Sequence, residues 1–194
     1  MPRIVDHDER RRQIAEALLA VAARDGHESV SSRAVAAELG VATGSLWHYF
    51  DGFDEVVRAA AAEVTRRTDA RISDATAGLR GLARLQALMR EVLPIDEHTR
   101  TEAHVVVGFW GRLAALAPTP DAGAPTLATW QHSIRLALDE AVDDGELRQD
   151  TPTESVMALL RSITYGQQIV EVTEPQPAAA HLAVLDGILS PWLA

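Results

Sequence analysis

The chain has 194 residues, of which 47% are hydrophobic and 24% charged, with no cysteine and a formal net charge of −10. That length suits one or two small domains with enough apolar material for a core. The absence of cysteine excludes disulfides and thiolate metal sites. No segment reaches the run of about 18 apolar residues that a membrane span needs, and the N-terminus lacks an apolar signal core. The expectation is a cytoplasmic protein with no membrane partner.

The charge is unevenly spread. The first fifty residues hold six arginines against seven acids, for a net −1, so the remainder carries −9. Any anionic partner of the first segment would be held by a few placed arginines, not by a broad positive field. Every basic residue is Arg and none is Lys, a compositional bias without mechanistic meaning of its own.

Alanine and leucine are abundant and β-branched runs are short, which favours helix. A first helix is expected over residues 8–24, where Ile14, Leu18 and Val21 make an apolar stripe and Gly26 marks the end. Arg10, Arg11 and Arg12 fall in its first turn, the unfavourable end for cations. Together with Arg3, they are read as candidates for phosphate contacts. Pairing with Asp8, Glu9 and Glu16 is the alternative. Ser31 and Ser32 suit the N-cap of a second helix over residues 33–39, and Gly40 ends it in a tight turn. A third helix over residues 42–50 follows almost at once, the spacing of a helix-turn-helix corner. At 100° per residue, Leu46 and Phe50 share its inner face with Tyr49 at the edge. Gly44, Ser45, Trp47 and His48 spread over the outer face. A hydroxyl, an indole, an imidazole and a glycine make a poor solvent face but suit a DNA major groove.

The residues that carry a family likeness lie between positions 11 and 55. They are Ile14, Ala17, Gly26, Ser31, Arg33, Val35-Ala36, Gly40-Val41, Gly44-Ser45-Leu46 and Trp47-His48-Tyr49-Phe50. This run resembles the DNA-binding domain of the TetR family of bacterial transcription regulators. The resemblance implies that Thr43, Ser45 and His48 lie at bases or phosphates. It implies that Trp47, Ser31 and Arg33 brace against the backbone, with Ser32 beside them, while Gly44 permits close approach. Two departures stand out: the family usually has tyrosine at Trp47, and a lysine is common near Asp54.

Asp51 is read as the N-cap of a fourth helix, with Asp54 at its third position. That helix carries Phe53, Val56, Val57, Ala60 and Val64 inward and runs into the seventies. The domain boundary is placed at its start: residues 1–50 form a three-helix helix-turn-helix domain, and residues 51–194 a larger helical domain for effector binding and dimerisation. Further helices are expected over residues 79–93, 96–115, 126–144, 153–171 and 177–193, with a loop over 118–125. The fold class is all-α.

In the second half, Leu93-Pro94-Ile95-Asp96-Glu97 and Val107-Gly108-Phe109-Trp110 resemble the branch of the family typified by the betaine-pathway repressor BetI. Met89, Phe109, Trp110, Trp130, Tyr165 and Gln168 are the candidates for lining an effector cavity. Core packing is the competing role for the tryptophans. His98 and Glu102 share a helix face but His104 does not, so no metal site is expected. No nucleophile or paired-acid spacing supports an enzyme, and no cofactor is implied. The resemblance implies a homodimer, joined through the last two helices, that binds a palindromic double-stranded DNA operator. A small-molecule effector is implied and is not identified. A helical interaction protein that retains the corner only as scaffold is the remaining alternative.

Overall fold

In a computed structural model of the chain, residues 7–115 and 124–194 are described, and the side chains of His27 and of residues 109–129 lie outside the described set. Regular structure among the described residues is helical, apart from one isolated bridge between Leu147 and Leu193. The first elements are α1 (His7–Asp25), α2 (Ser32–Glu38), a 3-10 segment (Thr43–His48) and α3 (Phe53–Thr76). After them come α4 (Gly81–Val92), α5 (Glu97–Ala115), α6 (Ala124–Asp143), α7 (Thr153–Thr173) and α8 (Ala178–Leu189). The expected helices therefore form, with ends shifted by a few residues. The loop expected over residues 118–125 falls largely outside the described residues.

The chain packs as two compact units. One comprises the described residues up to 66 together with 104–115, and the other residues 67–103 and 124–194. A boundary at residue 51 therefore cuts through the first core. Val56, Val57 and Ala60 of α3 are buried there with Ile14 and Leu18 of α1, Val35 of α2, and Leu46 and Phe50. Three short helices alone would leave that apolar face uncovered, and the start of α3 closes it. α3 opens at Phe53 rather than Asp51, so Glu55, not Asp54, is its third residue.

The second unit has its own core. Leu85, Leu88, Met89 and Val92 of α4 pack with Ile134 and Leu138 of α6, Val156 and Leu160 of α7, and Leu185 and Leu189 of α8. α5 begins with a reciprocal cap, in which the Thr99 N–H donates to Asp96 Oδ1 at 2.8 Å while Thr99 Oγ1 accepts from the Asp96 N–H at 3.1 Å. This satisfies donors that the first turn cannot pair internally. On α7 two large apolar residues lie outside: Leu159 and Val170 are exposed. A helix of 21 residues has several apolar ridges, and only the one through Val156 and Leu160 meets the core.

Leu46 is 1% exposed and is the deepest anchor of the 3-10 segment. Leu46→Ala should cost about 2–5 kcal/mol, the usual range for emptying such a site. Urea unfolding followed by circular dichroism measures it.

Candidate nucleic-acid interface

The corner between α2 and the 3-10 segment is fixed at both ends. Ser31 lies in extended backbone and its Oγ accepts the Ala34 N–H at 3.2 Å, the expected N-cap. At the other end the Val41 N–H donates to the Ala36 carbonyl and the Gly40 N–H to the Ala37 carbonyl, both at 3.0 Å. This pair of bonds is a Schellman ending, and it requires a left-handed residue. Gly40 supplies it with φ +66°, a conformation costly for residues with a Cβ.

The segment after the turn is a 3-10 helix, not the α-helix expected from the sequence. Thr43, Gly44 and Ser45 are weak α-formers, and six residues leave little room for i→i−4 bonds. At three residues per turn, side chains three apart eclipse. Thr43, Leu46 and Tyr49 form the inner column, with Leu46 buried and the other two half-buried. Gly44 and Trp47 form an outward column, and Trp47 is 43% exposed. Ser45 is half-buried and His48 exposed in the third column. Phe50, just past the segment, turns back into the core. The inner and outer residues are thus those read from the sequence, although the pitch differs. A Cβ at Gly44 would meet nothing within 4 Å, so no packing inside the protein demands glycine there.

The arginines divide by partner. Arg33 is exposed and has no hydrogen-bond or ion-pair partner among the described residues. Arg10 donates to Gln13 at 2.8 Å and is half-buried. Arg12 pairs with Glu9, and Arg24 with Asp25 and Glu38. Arg11 is turned inward. Its Nη2 donates to Glu55 Oε1 at 2.6 Å, its Nη1 donates to the Tyr49 carbonyl, and its guanidinium lies 4.1 Å from the Phe50 ring centroid. The sequence reading gives Arg11 a phosphate contact, whereas here its guanidinium is engaged within the protein. Ser32 is the half-buried first residue of α2. Arg3 lies outside the described residues.

The effector candidates fare differently in the second unit. Met89 is sealed in the core, so it cannot touch a ligand without repacking. Trp130 is half-buried, and its Nε1 donates to Asp69 Oδ1 at 2.7 Å. Gln168 is buried and its Nε2 donates to the Val92 carbonyl at 3.3 Å. Tyr165 is half-buried, and burial raises its hydroxyl pKa above the ordinary 10. The side chains of Phe109 and Trp110 lie outside the described residues.

Sequence periodicity missed a polar stripe. Thr164, Gln167, Gln168 and Glu171 recur at core spacing along α7 and all are buried. Glu171 takes Arg100 Nη1 at 2.9 Å on one oxygen and faces His181 Nε2 at 3.3 Å with the other. His181 Nδ1 meets Gln167 Oε1, while Gln167 Nε2 has no partner among the described residues. Burying such groups is costly unless they are fully paired. The signal available in the sequence was polar residues at i, i+3, i+4 and i+7 on an otherwise apolar face. His98 and Glu102 contact each other at 3.2 Å and both meet Arg71, which also binds Glu91. Burial acts to lower the Arg71 pKa, but the bonds to Glu102 and Glu91 prevail and hold it above its usual value. A cation from the chain itself thus occupies that acidic group.

Residues 14–60 match the family model described as bacterial regulatory proteins, tetR family. The HTH-type transcriptional regulator PksA of Bacillus subtilis is 36% identical over 142 residues, covering 73% of this chain and 69% of PksA. The chain belongs to the TetR family. As a TetR-family protein it is a DNA-binding transcriptional regulator and not an enzyme. The HTH-type transcriptional repressor KstR of Rhodococcus jostii is 36% identical over 84 residues, covering 43% of this chain and 39% of KstR. A solved transcriptional regulator from Rhodococcus sp. Rha1 is 28% identical, covers 94% of this chain and 97% of its own, and superposes with a TM-score of 0.73. The TetR fold therefore extends over the larger helical C-terminal part as well as the helix-turn-helix. TetR-family regulators act as dimers on operators and respond to ligands. No described helix is long and apolar enough to cross a membrane.

Glu55 gives this regulator a pH signature. The Asp51 N–H, then Arg11, lower its pKa below the ordinary 4.5. A depressed carboxyl contributes stability that is present above its unfolded pKa and lost as pH falls through the folded one. The wild-type advantage over Glu55→Gln in urea midpoint, small for a pair this exposed, should be greatest near neutrality. It should begin to shrink near pH 4.5 and vanish in stronger acid.

Proposed function

We propose that this TetR-family protein is a cytoplasmic, ligand-responsive repressor that binds a palindromic operator as a homodimer and reads bases with the 3-10 segment. The outward column of Gly44 and Trp47, with His48 beside it, carries the reading. An indole left 43% exposed next to a glycine that needs no space inside the protein is explained by an external surface coming close. Ser45 sits at the margin of that face, and Thr43, half-buried in the inner column, is kept from the sequence; their hydroxyls suit base edges or phosphates. Arg33 is the arginine best placed for phosphate, because no carboxylate neutralises it. Ser31 and Ser32 support it from the same end of α2, and Arg10 on α1 is kept as a further candidate. Arg11 is left out of this set. Repression is the reading favoured by the likeness to KstR, which is named as a repressor.

Gly44→Ala separates this reading from a scaffold role. Alanine in open space should leave the fold as stable or slightly more stable, yet weaken binding to a duplex spanning the intergenic DNA beside the gene. Trp47→Ala and His48→Ala should do the same. Arg33→Ala should weaken specific and scrambled duplexes alike and flatten the salt slope by about one unit. Unchanged operator affinity in all four variants would remove the DNA-reading assignment.

For the dimer, the support is the outer face of α7. From position 155 to 173 its exposed residues are Ser155, Ala158, Leu159, Ser162, Gly166, Ile169, Val170 and Thr173, none of them charged. The Ser162 and Thr173 hydroxyls bond back to carbonyls of their own helix, which makes the face drier still. α8 adds Ala179, Ala183, Val184 and Gly187, with the exposed Asp186 among them as a charge. A patch of this kind on a regulator with a −10 charge fits a second copy packed helix to helix. Ile169→Asp should give a folded monomer in sedimentation velocity. A persisting dimer would place the interface elsewhere.

For the effector, the support is the buried polar half of α7, with Gln168 and Tyr165 on or beside it. Trp130 is kept as a lining candidate through its polar contact; Phe109 and Trp110 rest on the sequence alone. The likeness to the BetI branch also rests on the sequence alone and assigns no ligand. Operator binding that stays constant across a broad metabolite panel would leave the ligand response without support.

A further inference from the structure

We propose that Arg11 and Glu55 are a positioning pair for operator reading, holding the backbone just beyond the 3-10 segment and so fixing where Trp47 and His48 point. This rests on the reading of Thr43–His48 as the part that meets DNA. Between that segment and α3 the chain runs through Tyr49, Phe50, Asp51 and Gly52. There the Tyr49 and Phe50 N–H groups donate back to Leu46 and the Gly52 carbonyl accepts from α3, but the Tyr49 carbonyl and the Asp51 N–H have no backbone partner among the described residues. The two side chains supply partners for both. Arg11 Nη1 donates to the Tyr49 carbonyl, its guanidinium plane lies over the Phe50 ring, and its Nη2 donates to Glu55 Oε1 at 2.6 Å. Glu55 Oε2 accepts the Asp51 N–H at 2.7 Å. Three successive residues, from α1 on one side and α3 on the other, are thus gripped by one ion pair.

Only a guanidinium does this. Its planar fork serves the carboxylate and the carbonyl together while its face covers the ring, and a lysine ammonium is a point charge without that shape. The two side chains are 29% and 36% exposed, and ion pairs that open to water contribute little to global stability. Base readout, in contrast, needs donor and acceptor placement within hydrogen-bond tolerance. The pair therefore acts on the aim of the segment more than on folding. It also accounts for a half-buried arginine in the second turn of α1.

The test compares Arg11→Lys, Arg11→Gln, Glu55→Gln and the double variant Arg11→Gln/Glu55→Gln, all in the full chain. Binding is measured to the intergenic duplex beside the gene and to a scrambled duplex of equal length, across a salt series. As a positioning pair, each single variant loses operator affinity on the order of tenfold, the size of one weakened base contact. Scrambled-duplex affinity and the salt slope stay constant, and the double variant is no worse than either single one. Arg11→Lys behaves like Arg11→Gln. If Arg11 instead meets a phosphate, Arg11→Lys keeps nearly full affinity. Arg11→Gln then weakens both duplexes and flattens the salt slope, and Glu55→Gln is neutral or tightens binding; that pattern overturns the proposal. Circular dichroism melts accompany every variant. Should Arg11→Gln unfold, Arg11→Lys and Glu55→Gln still decide. Trp47→Ala is the control for the underlying reading: if it too leaves operator binding unchanged, the 3-10 segment is not the reader, a failure distinct from that of the pair.

Discussion

A reading element only six residues long cannot hold its own shape. The 3-10 segment has room for only a few i→i+3 bonds, and its composition favours no regular helix. What defines it is the burial of Leu46 from within and of Phe50 just behind, against α1, α2 and the start of α3. The outer surface is then a consequence of the inner one. Once Leu46 points to the core, a three-residue repeat leaves Gly44 and Trp47 on the outward column. Core packing and surface presentation are one constraint seen from two sides.

This explains what was legible in the sequence and what was not. Ser31, Gly40 and the Leu46/Phe50 pair were readable because caps, left-handed turns and buried anchors are local chemistry. The pitch of the segment was not, since the inward and outward sets nearly coincide for an α-helix and a 3-10 helix over so few residues. The partition of arginines was also hidden. Arg10, Arg11 and Arg12 are consecutive, yet each meets a different partner, and Glu55 lies 44 positions from Arg11. Such pairings belong to tertiary structure. The place of α3 in the first core was missed for the same reason, because its apolar stripe is continuous and carries no mark of where one core ends.

The second unit shows the reverse failure. Periodicity counts apolar residues without knowing which ridge faces the bundle, and Leu159 and Val170 of α7 lie outside it. It also named Met89 as a lining residue, although tight packing with Leu85 and Leu88 seals it. The polar residues at core spacing on α7 carried more information than the apolar ones. A Thr, two Gln and a Glu on an inward ridge are expensive, and Arg100 and His181 come from other helices to meet them.

The uncharged stretch of α7 has a further consequence for a genome that encodes sister regulators. Charges across a contact reject mismatched partners by repulsion. The exposed residues of this face from Ser155 to Thr173 carry none, and among those of α8 Asp186 is charged. In the proposed dimer, fidelity in choosing a mate would then rest mainly on contour, with Leu159 and Ile169 as the ridges and Gly166 as the hollow.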